Sequence, residues 1–243
     1  MLERVTVTLE KELVKEIDFW AQGEGMNRSR AFATLLKEGL GETRLGTAVI
    51  LAGGGEKRAE KAAERLPKLL GYLSKHGISK ALIVVGAGGE RVVQAVKDGS
   101  THGLAAEYVW ASDEGSAIAL RAVEKKTAGT FLLCYSDVLL PDLDLKQLST
   151  FHNKTQSACT VVLASSLQPK GFGVAKMEGA RIVQFEEKPE KAGGTLVNAG
   201  FAVCSPSIFS LMEKCRSFER DALPRIAAAG KLAGYVYSGE WVH

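Results

Sequence analysis

Polarity alternates strictly near the start of the chain. In Arg4-Val5-Thr6-Val7-Thr8-Leu9, the residues Val5, Val7 and Leu9 share one face and Arg4, Thr6 and Thr8 the other. That is the period of a half-buried strand. From about Glu10 the spacing becomes helical: Leu13, Ile17, Trp20 and Ala21 form one stripe, and Gly23 and Gly25 mark its end. Asn27 is suited to cap a second helix with Ala31, Phe32, Leu35 and Leu36 on its apolar side, stopped at Gly39 and Gly41. The stretch 39–46 is polar, glycine-bearing and aperiodic, which predicts a linker between a small domain, 1–43, and a large one, 47–243.

Beyond the linker, apolar runs and amphipathic stretches take turns. Strands are expected over Ala48–Leu51, Ala81–Val85, Ala106–Trp110 and Thr130–Tyr135. Helices are expected over Ala59–His76, broken at Pro67, and over Glu90–Val96 and Ser116–Lys126. This rhythm predicts an α/β fold of Rossmann-like type, with a mixed, mainly parallel sheet covered on both faces. After Asp144 the strands Ala158–Ala164, Gly173–Lys176, Ile182–Phe185 and Ala199–Cys204 suggest antiparallel additions.

Composition changes this picture little. The chain has 243 residues, 46% hydrophobic and 24% charged, and a net charge of +3. These are ordinary values for a soluble globular protein. The balance does not by itself call for nucleic acid, so any basic footprint must be local. No run is long enough for a membrane span, and the first residues lack a signal-peptide layout; a cytoplasmic location and no membrane partner are expected. Cys134, Cys159, Cys204 and Cys215 have no metal-ligand spacing and lie in apolar segments, which predicts buried free thiols.

The first chemical signal is Val49-Ile50-Leu51-Ala52-Gly53-Gly54-Gly55-Glu56-Lys57-Arg58. A buried strand that ends in glycines lets the backbone approach a ligand, and its amide groups make an anion-binding concavity. At the carboxyl end of a parallel strand this is the usual ligand crevice.

The small domain, over residues 3 to about 41, resembles the ribbon-helix-helix family of DNA-binding regulators. One strand and two helices cannot bury both of their faces, and pairing the strand with its twin in a second chain would solve this. The resemblance implies a homodimer or higher homo-oligomer whose ribbon enters the major groove. It places Arg4, Thr6 and Thr8 on bases, and Asn27, Arg28 and Ser29 on a phosphate. A dimerisation arm without DNA binding is the alternative.

The large domain resembles the sugar-1-phosphate nucleotidyltransferases over roughly residues 47–243. The motifs run in the family's order: Leu51-Ala52-Gly53-Gly54, Gly115-Ser116-Ala117, Ser136-Asp137, Gly171-Phe172-Gly173-Val174, Glu187-Lys188-Pro189, Asn198-Ala199-Gly200, and Phe218-Glu219-Arg220-Asp221 running on to Gly239-Glu240-Trp241. The resemblance implies nucleotide binding at Leu51, Ala52, Gly53, Gly54 and Gly115. It implies sugar binding at Gly173, Glu187 and Asn198, catalytic cations at Arg58, Lys68 and Lys188, and Mg²⁺ on Asp137.

The chain departs from that pattern at the phosphates, the metal and the base. Glu56 and Lys57 replace Gly and Thr, and a carboxylate there would repel a triphosphate. Pro67-Lys68 runs at once into Leu69-Leu70, as though a catalytic loop were absent. His243 holds the position of a second metal-binding Asp, and Trp110 that of a base-reading Gln. These departures touch transition-state electrostatics more than ground-state contacts. The expectation is a DNA-binding regulator whose second domain holds a nucleotide, sugar phosphate or nucleotide-sugar with weak or absent catalysis and no required cofactor. The alternatives are an active Mg²⁺-dependent nucleotidyltransferase with an N-terminal appendage, and a scaffold with a dead pocket.

Overall fold

The computed structural model describes residues 5–23, 26–39, 45–112, 115–127, 129–191 and 193–242. The chain separates into two compact units, 1–43 and 44–243.

In the small unit, helix α1 (Lys11–Gly23) and helix α2 (Arg28–Gly39) pack through Ile17, Ala21 and Ala31, flanked by Leu9, Trp20, Phe32 and Leu35. Asn27 caps α2, its side-chain oxygen accepting the Arg30 N–H at 2.9 Å. Residues 5–9 are not a strand in this single chain. Val5 and Val7 are 75% and 63% exposed, and Phe19 is 82% exposed. The physical reason is that a lone strand leaves its backbone donors and acceptors unpaired, so alternation alone cannot make one. Arg4 lies outside the described residues, as do residues 40–44 of the expected linker.

The large unit is a nine-stranded mixed sheet in the order β3-β2-β1-β4-β8-β5-β9-β7-β6. Its strands are β1 (Thr47–Leu51), β2 (Lys80–Val85), β3 (Ala105–Trp110), β4 (Phe131–Tyr135), β5 (Cys159–Ser165), β6 (Gly173–Glu178), β7 (Arg181–Glu187), β8 (Leu196–Cys204) and β9 (Leu232–Tyr237). The first four are mutually parallel, and β8 pairs antiparallel with both β4 and β5. Strand β9 is not among the strands the sequence pattern predicts. Gly234 interrupts it, and glycine weakens a strand pattern; here a Cβ at Gly234 would meet Leu163 at 2.8 Å.

Two apolar layers sandwich the sheet. One holds Leu66, Leu70 and Leu73 of α3 (Glu56–Lys75), Val92 and Val96 of α4 (Gly89–Val96), and Leu145 and Leu148 of α6 (Leu145–Thr155). The other holds Ala117 and Leu120 of α5 (Ser116–Arg121), Ile208 and Phe209 of α7 (Ile208–Leu211), and Leu223 and Ile226 of α8 (Leu223–Ala228). All four cysteines are free and buried.

Two helical expectations are corrected. Pro67 does not break its helix: α3 continues through it to Lys75. The apolar stripe from Leu66 to Leu73 is fully buried, and that packing outweighs the hydrogen bond proline cannot make. The helix expected over 116–126 ends at Arg121, and a separate 3₁₀ turn covers Glu124–Lys126.

One buried polar cluster has a consequence for stability. His152, 2% exposed on α6, has Nδ1 2.8 Å from Thr160 Oγ1 and Nε2 2.9 Å from Ser205 Oγ. Burial lowers its pKa from 6.5 to about 4. In the window between those values the unfolded chain binds a proton that the folded chain refuses. The contribution is therefore full above pH 6.5 and is lost as pH falls toward 4, amounting to about 3 kcal/mol. Urea unfolding of wild type should lose roughly this much between pH 7 and pH 4, and His152→Leu should show a flatter pH dependence over the same range.

Candidate functional site

The cleft opens where β1 and β4 end side by side. Leu51 is in register with Tyr135 on one side and with Val84 of β2 on the other. After Leu51 the chain turns through Gly54 (φ 113°) and Gly55 (φ 95°), conformations that favour glycine, and α3 starts at Glu56. A Cβ at Gly54 would stand 2.8 Å from Arg58 Cδ, so the bare glycine lets the Arg58 side chain lie across the loop.

Two pockets adjoin here. The smaller, about 140 Å³, is walled by Leu51, Gly53, Gly54, Arg58, Val84, Val85, Gly86, Ala111, Ser112, Gly115, Ser116, Ala119 and Tyr135. The larger, about 430 Å³, reaches from Arg58, Lys61 and Asp137 to Gly173, Glu187, Lys188, Asn198, Glu219 and Trp241. Leu51, Gly53, Arg58, Ser116 and Tyr135 line both, so the two form one cleft.

The far wall is built by a hairpin. Gly173 of β6 is paired with Glu187 of β7, and a Cβ there would fall 2.3 Å from Phe185 Cζ and 2.8 Å from Glu187 Oε2. Only glycine leaves room for that carboxylate. Burial raises the Glu187 pKa, with Lys188 and Arg220 acting in the opposite direction. Lys188 is held at φ 52° by its N–H donating to Phe172 O at 3.1 Å, and its Nζ lies 4.0 Å from Glu187 Oε1. The Asn198 side-chain oxygen Oδ1 accepts the Gly200 N–H at 2.9 Å, which fixes the side-chain amide on β8. Phe172 and Trp241 pack with ring centroids 4.9 Å apart.

On the near side, Asp137 follows β4, and its carbonyl accepts a hydrogen bond from Arg65 at 2.7 Å. Among the described residues, no group of three or more His, Cys, Asp and Glu side chains could hold a metal ion. Mg²⁺ commonly binds through one or two carboxylates together with substrate phosphates and water. The donor set therefore fits an ion carried in on a triphosphate, and does not fit a site made by protein alone. His243 lies outside the described residues.

Most of the sequence-derived candidates line this cleft: Leu51, Gly53, Gly54, Arg58, Gly115, Asp137, Gly173, Glu187, Lys188 and Asn198. Others do not. Ala52 is buried beneath the loop at 2% exposure. Lys68 is an exposed residue on α3, ten positions beyond Arg58 and so about 15 Å along the helix. With α3 continuous, no loop exists to swing it back. Trp110 ends the edge strand β3 and lies over Gly89, outside both pockets. Glu56 also lines neither pocket: its Cγ would be 3.5 Å from a Cβ at Gly88, across the turn after β2.

Lys61, Ser116, Tyr135, Glu219 and Trp241 also line the cleft, although the sequence does not single them out as site residues. Lys61 follows Arg58 at i+3, a spacing that shares a helix face. Ser116, Glu219 and Trp241 lie inside the family-like motifs, and Tyr135 closes the strand before Asp137. In the small unit, Thr6, Thr8 and Ser29 are described, with Ser29 exposed in the first turn of α2. Arg28 is tied to Asp18 by two hydrogen bonds of 2.6 and 2.5 Å, which hold the Asp18 carboxyl below its usual range.

Comparison with known proteins gives most of the large unit a family. The nucleotidyl transferase family model matches residues 63–242. A mannose-1-phosphate guanyltransferase of Aspergillus fumigatus is 28% identical over 217 residues, covering 80% of this chain and 59% of its own. A glucose-1-phosphate cytidylyltransferase of Salmonella typhi is 31% identical over 112 residues, covering 46% of this chain and 42% of its own. The chain thus spans less than two thirds of the length of these relatives. A crystal structure from Bacillus anthracis, assigned as a glucose-1-phosphate thymidylyltransferase and holding sucrose, superposes with a TM-score of 0.65 at 21% identity. The match covers 80% of this chain and 88% of that one, and it shows the shared fold.

Gly173→Ala tests the far wall. The added methyl should displace Phe185 or Glu187 and lower stability by about 1–3 kcal/mol, read by thermal unfolding. Gly171→Ala, where a Cβ meets nothing within 4 Å but φ is 114°, is the control for backbone strain alone.

Proposed function

Since the chain belongs to the nucleotidyl transferase family, we propose that it transfers a nucleotidyl group from a nucleoside triphosphate to a sugar 1-phosphate. The observation that carries this reading is the single cleft in which a glycine turn with Arg58 at one end faces Glu187, Lys188 and Asn198 at the other. A sugar-phosphate oxygen attacks the α-phosphorus, and the bond to pyrophosphate breaks. No protein nucleophile is required; the step needs alignment and neutralised charge. Arg58 and Lys61 face the triphosphate, and Lys188 the sugar phosphate. Glu187 accepts from sugar hydroxyls and the Asn198 amide fixes the ring. Asp137 would hold Mg²⁺, which would supply Lewis-acid neutralisation of the phosphate charge when bound.

This reading gives catalysis more weight than the departures in sequence suggest. Glu56, the residue expected to repel a triphosphate, has its Cγ near Gly88 and lines neither pocket. The relatives are sugar-1-phosphate nucleotidyltransferases of differing base and sugar, so the assay is a panel. Pyrophosphate release with Mg²⁺ should appear for at least one pair of nucleoside triphosphate and sugar phosphate; silence across the panel would defeat the reading. Asp137→Asn should reduce turnover by about 100-fold or more, with a smaller loss of nucleotide binding. Lys188→Ala should instead raise the KM for the sugar phosphate by roughly tenfold or more.

A second activity is proposed for the small unit. Its small core, Ile17, Ala21 and Ala31, and the exposed Val5 and Val7 favour closure by a second copy of the chain, with Arg4, Thr6 and Thr8 on the outer face of a paired ribbon. That ribbon would read DNA in the major groove, and the capped start of α2 would hold a phosphate. DNA titrations over a salt series test this. Phosphate binding requires the Arg28 guanidinium to turn away from Asp18, and Arg28→Ala should then make the log–log slope shallower by roughly 0.9. An unchanged slope would leave the unit as a dimer clasp.

A further inference from the structure

A hydrogen-bonded fastening between distant parts of the chain lies in the cleft, and the reaction scheme does not use it. Ser116 opens α5 and lines both pockets. Its Oγ–H donates to Glu219 Oε2 at 2.8 Å, and its Oγ accepts the Phe218 N–H at 2.8 Å. The same Glu219 oxygen accepts a second hydrogen bond from Ser217 Oγ at 3.1 Å. A backbone link runs alongside, from Ala117 N–H to Arg216 O at 3.0 Å. Gly115, at φ 145°, lies so close to that carbonyl that a Cβ would be 2.2 Å from it.

Glu219 belongs to a π-helical turn, Phe218–Ala222, which is itself braced. Asp221 accepts the N–H groups of Arg216 and Ser217, each at 2.8 Å. Arg121 donates to the carbonyls of Met212 and Cys215 at 3.0 and 2.9 Å. Glu219 reaches from this braced turn to line the larger pocket, while its hydrogen-bonded partner Ser116 also forms the wall of the smaller one. Burial raises its pKa, and Ser116, Arg58 and Arg220 all favour its charged form.

We propose that Glu219 is a positioning residue for the nucleotide: through Ser116 it holds the first turn of α5, with Gly115, against the nucleotide half of the cleft. The inference rests on the nucleotidyl-transfer reading. The Ser116 hydroxyl already gives its proton to Glu219 and takes one from Phe218. Its contribution to a bound nucleotide is therefore the placement of the wall. A carboxylate suits the task because it is acceptor-only and can take two hydroxyl donors on one oxygen. Hydrogen bonds to a charged group are also the stronger kind. A glutamine has a carbonyl oxygen in the same place and can keep both bonds.

The test measures binding of a nucleoside triphosphate with Mg²⁺, and separately of a sugar 1-phosphate, by calorimetry on the full chain. The variants are Glu219→Ala, Glu219→Gln, Ser116→Ala and the double alanine, each with its thermal midpoint. Glu219→Ala and Ser116→Ala should each weaken nucleotide binding by roughly 10- to 100-fold, and the double variant should be no worse than either alone. Glu219→Gln should recover most of the loss, and sugar-phosphate affinity should change by less than about threefold. Equal losses for both ligands, additive losses, or a Glu219→Gln as weak as Glu219→Ala would overturn the positioning role. Wild-type binding that Glu219→Ala leaves unmoved would overturn it while sparing the proposed reaction. A wild-type chain that binds none of the triphosphates would overturn both.

Discussion

The parallel register of β1 against β4 is the constraint on which the large unit depends. The chain leaves β1 toward β2 on one side and leaves β4 toward β5 on the other, so the connections from these two neighbours run in opposite directions across the sheet. At such a switch point the loops diverge and a crevice opens beyond the carboxyl ends of the strands. Leu51 and Tyr135 are in register, so the glycine turn and Asp137 emerge at the same height on either side of that opening. A one-residue slip would reverse the faces of β1, exchanging Ala48 and Ile50, which pack in one apolar layer, with Val49 and Leu51, which pack in the other.

From that line the cleft is extended by elements of quite different kinds. Helix α3 carries Arg58 and Lys61 to one side because its apolar stripe fixes its rotation on the sheet. The β6–β7 hairpin carries Glu187 and Lys188 to the other, and Gly173 is the gap that lets the carboxylate in. The long strand β8 crosses between them, pairing with β4, β5 and β6, and sets Asn198 into the floor. Cations and carboxylates are interspersed, with Arg58, Lys61 and Lys188 among Asp137, Glu187 and Glu219. Such a lining suits a ligand that is anionic at its phosphates and rich in hydroxyls elsewhere. The two carboxylates with raised pKa values, Glu187 and Glu219, are half-buried while Asp137 is exposed, as desolvation requires.

The small unit is governed by a different constraint. Its helices share a core of Ile17, Ala21 and Ala31, too little for independent stability. The alternating segment ahead of α1 has an apolar face exposed in the single chain. Pairing with another copy, the arrangement proposed for this unit, would satisfy both the backbone and that face.

Local chemistry was legible in the sequence. The glycine turn after β1, the continuous apolar runs of the central strands and the Asn27 cap all depend on near neighbours or on strand period. The resemblance carried by the motif order implies one site for Arg58, Asp137, Glu187, Lys188 and Asn198, and all five line the cleft. Tertiary packing decided what remained. A buried leucine stripe carried α3 straight through Pro67 and left Lys68 on the surface, although proline locally signals a break. The direction taken by Glu56 depended on the turn after β2, and the strand role of Leu232–Tyr237 on β5 and β7 as neighbours. The link between Ser116 and Glu219 joins positions 103 residues apart. No local pattern encodes such a contact, because it exists only once the sheet has brought α5 and the π-helical turn together.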